Sequence, residues 1–423
     1  MQVIENSKVK EKLYIKKLEN GLTIMVIPKK NMQKQYIIYG TNYGSIDNKF
    51  IVPGEDKPTE VPDGVAHFLE HKMFEQENGT NSLDVLTALG VSANAFTTTD
   101  ITAYLYESAE NFYPALDELM NYIQHPYFTD ENVEKEKGII GQEIMMYDDY
   151  PEWKVYMNVL SALYNDNPVR IDTAGTKESI AKINKDILYK CYNTFYHPSN
   201  MAVVVCGDFE PNKVIEEIEK RLIKKDNQGE IKRIYPEEKK EIAKQYIEAK
   251  MEISTPLFVI GLKDNEINSK DIIKKHIAME IILSVLIGKS SKLYEKLYKE
   301  GLILAEPDSS YEFSRNYAYA VIQGQSKEPK KVLEYFKQEI EDLKKNGILK
   351  EDFDRTRKMI YGDYIKEYNS VSDIATMFLT DYLKGINSFD YLEEYSSVTL
   401  EYVEQVLKEV FKPEYIVLSV VTN

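Results

Sequence analysis

The chain has 423 residues, which is too long for one ordinary domain and predicts two or three. Hydrophobic residues make up 43% of it and charged residues 29%, a balance typical of soluble globular proteins with large cores. The formal net charge of −16 argues against a nucleic-acid backbone or an anionic membrane as the binding partner.

The start of the chain and its cysteines indicate a cytoplasmic protein. The first residues, Met1 to Asn6, are too polar for a signal peptide. No apolar run approaches the roughly 20 residues that a membrane-spanning helix needs. Cys191 and Cys206 have no Cys or His at a metal-ligand spacing, so we expect two reduced, unreactive thiols.

The first elements predicted along the chain are strands. Residues 18–27 contain Asn20-Gly21, which predicts two strands joined by an Asn-Gly hairpin turn. Residues 35–43 form a further β-rich run around Tyr36-Ile37-Ile38-Tyr39.

The next stretch, His67-Phe68-Leu69-Glu70-His71, carries the most specific chemical signal in the chain. On a helix, its two imidazoles and its carboxylate share one face, with Asp63 as the expected N-cap. Two imidazoles four residues apart can hold one Zn²⁺, and a carboxylate beside them can take a proton from water, which is the metalloprotease motif in inverted order. The alternative is a surface pair of helical histidines. Because the whole chain has five His, composition alone does not explain this spacing.

Two strands and two helices are predicted after the motif. Residues 92–106 are rich in Thr, Tyr and alternating apolar residues and predict two strands, and residues 112–125 predict an amphipathic helix. Thr129 then caps a long helix on which Glu136 and Glu143 lie two turns apart, on the same face. By charge alone this face would be a solvated stripe, so a functional role for the two carboxylates stays open at this point.

The rest of the chain predicts a duplication. A helix over 186–195, a buried strand over 200–208 and a helix over 211–222 precede a charged linker over 224–244. Beyond it, residues 351–363 align with residues 131–143, and residues 411–420 align with residues 196–205. Two matched anchors in the same order predict a tandem repeat of a domain of about 200 residues.

The second copy is expected to lack the metal ligands. Where it would carry the metal helix, we expect the run Ser290 to Leu297, which contains no histidine. Asp363 stands at the position of Glu143. The first half would therefore hold the metal, and the second half would bind no metal and would only help to enclose the site.

The inverted zinc motif, the downstream glutamate pair and the degenerate second half together resemble the pitrilysin family of zinc metallopeptidases, which includes insulin-degrading enzyme and mitochondrial processing peptidase. The resemblance covers essentially the whole chain and is closest to the short bacterial branch. It implies an α+β fold of two tandem duplicated domains, each a mostly antiparallel β-sheet covered by helices, as in mitochondrial processing peptidase and LuxS-like metallohydrolases. The expected domains are a zinc-binding peptidase domain over 1–223, a linker over 224–245, and a homologous domain without zinc ligands over 246–423.

The resemblance also implies roles for individual residues. His67, His71 and Glu143 match the zinc ligands of the family, Glu70 matches the general base, and Glu136 matches a catalytic-site carboxylate behind the ligands. These roles imply a zinc-dependent endopeptidase with one Zn²⁺ per chain. Three nearby acids could replace Glu143 but fit the register less well: Asp148, Asp149 and Glu152.

The implied substrate is an unfolded peptide held in an enclosed chamber. The run Asn94-Ala95-Phe96-Thr97 resembles the edge strand on which family members lay the substrate backbone as an added strand, with Asn94, Ala95 and Phe96 as the expected substrate-binding residues.

One departure from the family concerns the second half. Active members carry there an Arg followed seven residues later by a Tyr, which hold the substrate carbonyl. When this chain is aligned with the family on Gly301 without a gap, Leu297 falls at the Arg position and Leu304 at the Tyr position. Three polar residues lie further on, and nothing in the sequence assigns the role to them: Tyr311, Arg315 and Tyr317. We therefore expect a zinc-free homologous subunit to supply the pair in a heterodimer, or else a homodimer. The rival hypothesis is a non-catalytic scaffold subunit of the same fold, which we would expect to have lost at least one zinc ligand.

Overall fold

The computed structural model describes residues 1–266 and 271–423. The strands in these residues are β1 (Gln2–Asn6), β2 (Glu11–Lys17), β3 (Thr23–Pro28), β4 (Gln35–Thr41), β5 (Lys49–Ile51), β6 (Thr59–Glu60), β7 (Ser92–Thr97), β8 (Thr102–Ser108), β9 (Met201–Gly207), β10 (Lys232–Arg233), β11 (Tyr246–Lys250), β12 (Leu257–Lys263), β13 (Asp308–Phe313), β14 (Ala318–Gln325) and β15 (Ile416–Thr422).

The α-helices in the same residues are α1 (Val65–Lys72), α2 (Ser82–Ala88), α3 (Phe112–Gln124), α4 (Asp130–Asp148), α5 (Pro151–Leu163), α6 (Lys177–Ile180), α7 (Lys185–Phe195), α8 (Pro211–Arg221), α9 (Ile272–Ile287), α10 (Lys292–Lys299), α11 (Pro329–Asn346), α12 (Lys350–Glu367), α13 (Val371–Leu383), α14 (Ser388–Ser397) and α15 (Leu400–Val410). None of these helices is both long enough and apolar enough to cross a lipid bilayer.

The two large sheets share one topology. Strands of the first sheet follow the order β1-β2-β3-β9-β4-β8-β7, and strands of the second follow β11-β15-β12-β14-β13. In each sheet one neighbouring pair is parallel, β3 with β9 and β11 with β15, and all other neighbours are antiparallel. The last five strands of the first sheet therefore match the second sheet one for one. This match confirms the expected duplication and the mostly antiparallel α+β fold.

Both sequence anchors of the repeat fall on equivalent elements. Residues 131–143 lie in α4 and residues 351–363 lie in α12, while residues 196–205 and 411–420 lead into β9 and β15. The hairpin prediction is also confirmed, since β2 and β3 are antiparallel neighbours. In their turn, the Leu18 amide donates to the Leu22 carbonyl at 2.8 Å, and Gly21 adopts φ +95°. The expected linker contains one short strand, β10, which pairs with β5.

The expectation for the second metal helix is wrong. In the first half, α1 and α2 lie between β4 and β7 along the chain, and in the second half α9 and α10 lie between the equivalent strands β12 and β13. The counterpart of the metal helix is therefore α9, whereas Ser290 to Leu297 leads into α10. Helix α9 does contain a histidine, His276, whose Nδ1 lies 2.7 Å from the Tyr391 hydroxyl.

The chain forms two compact units, and each takes one helix from the other repeat. Unit 1 comprises Met1–Ile144, Asp172–Tyr235 and Ile365–Ser388, and unit 2 comprises Met145–Ile171, Pro236–Tyr364 and Phe389–Asn423. In unit 1, α13 packs on β4 and β9; in unit 2, α5 packs on β12 and β15. The expected boundaries after residues 223 and 245 follow the sequence repeat, which is a different division, and they stay a prediction.

The helix that each unit takes from the other repeat, α13 or α5, is called here the exchanged helix. A glycine in a central strand allows each exchanged helix to pack closely against its sheet. A Cβ atom at Gly40 in β4 would lie 2.7 Å from Leu379 Cδ2 in α13. A Cβ atom at Gly261 in β12 would lie 2.6 Å from Val159 Cγ2 in α5. Carbon atoms in good contact lie about 3.5–4.0 Å apart, so both helices rest on the bare backbone of these strands.

Candidate metal centre

Helix α1 begins at a tight backbone contact. Gly64 adopts φ +91°, and a Cβ atom there would lie 2.5 Å from the Ala174 carbonyl oxygen, so the position requires glycine. The expected Asp63 cap is wrong, because the N-cap residue is Gly64 and no side chain caps the helix. The Asp63 carboxylate instead accepts a hydrogen bond from Asn48 Nδ2 at 2.9 Å.

One face of α1 anchors the helix in the core of unit 1. Phe68 and Leu69 are fully buried there, and Met73 just after the helix is buried as well. Because residues three and four apart share a helix face, this packing leaves His67, Glu70 and His71 together on another face. The apolar residues of the motif thus fix where its polar residues point.

His67, His71 and Glu143 come together as a possible metal site. Their ligand atoms all lie within 4.8 Å of one another. Among the described residues, this is the one group of three or more His, Cys, Asp or Glu side chains close enough to hold a metal ion. His67 Nε2 lies 3.6 Å from Glu143 Oε1, and His71 Nε2 lies 3.5 Å from Glu143 Oε2. Two atoms that each bind one tetrahedral ion at about 2.1 Å would stand about 3.4 Å apart, so the donors fit a single Zn²⁺.

Glu136 orients one of the imidazoles. Its Oε1 lies 3.1 Å from His71 Nδ1, which leaves His71 Nε2 facing Glu143. A carboxylate on the far nitrogen of a metal-ligating histidine fixes the tautomer and the ring orientation. His67 has no equivalent, since its buried Nδ1 has no hydrogen-bond partner among the described residues.

The two imidazoles differ in their electrostatic environment. Burial, with a smaller contribution from His71, lowers the pKa of His67 to about 3, so its ring is neutral and able to ligate a metal. Burial also lowers the pKa of His71, but the hydrogen bond to Glu136 and the surrounding carboxylates raise it more, and the net direction is upward. Burial raises the pKa of Glu143, and His71 opposes that rise. Three carboxyl groups, Glu70, Glu136 and Glu143, thus surround His71, and a divalent cation bound there would favour their charged form.

Glu70 is held beside the ligands by a neighbouring strand. It is 8% exposed, and its Oε2 accepts a hydrogen bond from Thr97 Oγ1 at 2.5 Å. Burial raises the pKa of Glu70, the Thr97 hydrogen bond and His71 lower it, and the net direction is upward. A carboxylate with a raised pKa is better matched to proton transfer near neutral pH than an ordinary one.

Strand β7, which contains Thr97, lies at the edge of its sheet. It carries the predicted peptide-binding residues Asn94, Ala95 and Phe96, and it pairs with β8 at the end of the strand order. An edge strand offers unpaired backbone groups to which a further strand can bind. Its location fits the expected peptide-binding role, which stays a prediction.

The remaining sequence candidates are not members of the metal grouping found among the described residues. Asp148 Oδ1 lies 3.7 Å from Lys154 Nζ, and neither Asp149 nor Glu152 joins the metal grouping of the described residues. In unit 2, Leu297 is buried in α10 and Leu304 is 82% exposed. Neither leucine offers a polar group to a substrate carbonyl.

The sequence does not predict the contacts that two residues, Thr97 and Lys72, make at this centre. Thr97 bonds to Glu70 across 27 positions of sequence, and the buried Lys72 ammonium lies 3.8 Å from Glu136 Oε2 across 64 positions. The available signal for Lys72 was its place next to His71 on a helix whose other polar residues carry the motif.

Both repeats are α+β units of the same topology, and the first carries a His/His/Glu grouping on helices α1 and α4. Residues 55–177 match the family model for insulinase (peptidase family M16), and residues 182–360 match the model for the peptidase M16 inactive domain. The chain belongs to peptidase family M16.

Individual relatives agree with this assignment. The chain is 40% identical over 413 residues to the uncharacterized zinc protease YmfH of Bacillus subtilis, covering 96% of this chain and 95% of the relative. An M16-like peptidase from Alicyclobacillus acidocaldarius has a similar structure, with TM-score 0.94, 33% identity and 99% coverage of both chains. A protease from Helicobacter pylori shares the fold, with TM-score 0.82 and 20% identity, over 98% of this chain and 100% of that one.

Proposed function

We propose that this chain is the catalytic subunit of a zinc-dependent endopeptidase that hydrolyses unfolded peptides. The observation that carries the proposal is the convergence of His67 Nε2 and His71 Nε2 on the Glu143 carboxylate, with Glu70 on the same helix face. Zinc is favoured by the donor set, two imidazoles and a carboxylate, and by the relative that is 40% identical, which is named a zinc protease.

A zinc ion at this site would supply Lewis acidity, which makes water nucleophilic near neutral pH and polarises a peptide carbonyl. Glu70 accepts the proton of the attacking water and returns it to the leaving amine. Thr97 holds the Glu70 carboxylate while the proton is transferred, and Glu136 holds the ring of His71. Strand β7 aligns the peptide backbone as an added edge strand.

A second chain completes the proposed enzyme. The family's Arg/Tyr pair falls on Leu297 and Leu304, which cannot donate hydrogen bonds to a developing oxyanion. We propose that a zinc-free homologous subunit supplies these donors and that the two chains enclose a chamber in the cytoplasm. A homodimer is the second arrangement of this proposal.

The test is peptide cleavage by tagged chain isolated from its own cells together with its bound subunits. A chelator should abolish cleavage of a quenched fluorescent peptide, and added zinc should restore it. Glu70→Gln should retain zinc and lose about 10²–10⁴-fold in rate, because the proton acceptor is gone. Glu77→Gln is the matched control, since Glu77 is exposed just beyond the motif.

The rival function is a non-catalytic scaffold, which the name of the second family model, an inactive domain, brings into consideration. A scaffold would bind no zinc and cleave nothing, with or without its partners. Full cleavage by Glu70→Gln would instead overturn the assigned base while leaving the peptidase proposal in place.

A further inference from the structure

Lys72 is a fully buried cation directly after the second histidine of the motif. Its side chain is 0% exposed, although lysine is among the residues that proteins bury least. A buried ammonium is costly unless it is paired, and here it forms an ion pair with the Glu75 carboxylate. The side chain therefore points into the protein and away from solvent.

The second anion near Lys72 is Glu136. Lys72 Nζ lies 3.8 Å from Glu136 Oε2, while Glu136 Oε1 lies 3.1 Å from His71 Nδ1. The two oxygens of one buried carboxylate thus face two different partners. These two contacts restrict the rotamer of Glu136, and the Lys72 ammonium compensates part of its negative charge.

This arrangement links Lys72 to the metal site through Glu136 and His71. Without the ammonium, the Glu136 carboxylate would face the nearby Glu143 carboxylate with less compensation, and like charges in a buried site repel strongly. Glu136 would then be free to turn away from His71. The His71 ring would lose the hydrogen bond that keeps Nε2 directed at Glu143.

We propose that Lys72 is a positioning residue of the metal centre, which holds Glu136 and thereby orients the metal ligand His71. This inference rests on the proposed zinc site. The loss of the outer partner of a metal ligand typically weakens metal affinity 10–100-fold. Lys72→Met, which keeps the apolar stem and removes the charge, should weaken zinc binding by that factor.

The experiment measures zinc affinity by competition with a chromophoric chelator, which needs neither peptide substrate nor partner subunit. The variants are Lys72→Met, Glu136→Gln and the double variant. If Lys72 acts through Glu136, the double variant should bind zinc about as weakly as Glu136→Gln alone, because the two residues lie on one path. Independent roles would multiply the two losses and overturn the inference.

Controls separate this inference from folding and from the proposed function. Lys135→Met removes an exposed lysine beside Glu136 on α4 and should bind zinc like the wild type. Thermal unfolding of the metal-free variants reports whether they fold. If Lys72→Met does not fold, Lys72→Gln replaces it, because glutamine is also neutral and can form hydrogen bonds. Wild-type affinity in a folded Lys72 variant overturns the positioning role alone, whereas a wild-type chain without zinc affinity overturns the proposed function as well.

Discussion

The contact between Gly40 and the exchanged helix α13 allows a quantitative test of the fold. In Gly40→Ala, the new Cβ atom would lie 2.7, 3.2 and 3.3 Å from Cδ2, Cδ1 and Cγ of Leu379. The closest distance is about 0.8 Å shorter than a good carbon contact. Leu379 is fully buried, so its side chain cannot move into solvent, and either the rotamer or the helix must shift.

The expected cost follows from two opposing contributions. Overpacking by a methyl group costs about 1–3 kcal/mol, and replacing a strand glycine by alanine returns about 0.5–1 kcal/mol of backbone entropy. The difference spans about 0–2.5 kcal/mol. Because the closest approach is only 2.7 Å, we expect the upper part of this range, so Gly40→Ala should lower the free energy of unfolding by about 1–2 kcal/mol in urea titrations followed by circular dichroism. Gly138→Ala is the reference, because Gly138 lies in α4 with no atom within 4 Å of its would-be Cβ and should gain stability.

A double-mutant cycle identifies the partner of Gly40. Leu379→Ala alone should cost about 2–5 kcal/mol, since it empties part of a packed core. In the double variant the clash disappears and the new methyl group fills part of the cavity, so the total should be at least about 1 kcal/mol smaller than the sum of the single costs. Additive costs, or a neutral Gly40→Ala, would refute the close packing of α13 on β4.

Three further predictions concern ligands, charge and thiols. Glu143→Gln should bind zinc at least about 10-fold more weakly than the wild type in chelator competition, and equal affinity would remove Glu143 from the ligand set. Burial raises the pKa of Glu280 from 4.5 to about 7, so the stability from its protonated form is present below pH 4.5 and lost as the pH rises through 7. Glu280→Gln should therefore be more stable than the wild type by about 1–2 kcal/mol at pH 8 and little different near pH 4.5, and a pH-independent difference would contradict this assignment. Cys191 and Cys206 are both buried, so a thiol reagent should label neither in the native chain and both in urea.

The repeat could be predicted because its anchors lie on elements with strong local patterns. Helices α4 and α12 and strands β9 and β15 keep similar spacing of apolar residues, and the motif helix α1 carries its chemistry within five residues. By contrast, α9 is buried along most of its length. Its apolar residues therefore do not mark out one polar face, as they do in α1, and its sequence does not identify it as the counterpart of the metal helix. Only the order of strands identifies α9 as the counterpart of α1.

Features that depend on distant residues could not be predicted from the sequence. The amphipathic patterns of α5 and α13 indicate that one face is buried, but not that each packs on the sheet of the other repeat. Asp63 has the residue type of an N-cap, yet a glycine at positive φ occupies that position. Thr97 and Lys72 reach Glu70 and Glu136 through the tertiary structure, which no local spacing encodes.

The most direct measurement of the metal centre is anomalous X-ray diffraction from crystals of the zinc-loaded chain, recorded on both sides of the zinc absorption edge. We expect a single anomalous peak per chain, bound by Nε2 of His67, Nε2 of His71 and the Glu143 carboxylate. His71 Nδ1 should remain hydrogen-bonded to Glu136. The absence of a peak at these three side chains, or a zinc ion held by other residues, would contradict the assigned metal centre and the peptidase mechanism built on it.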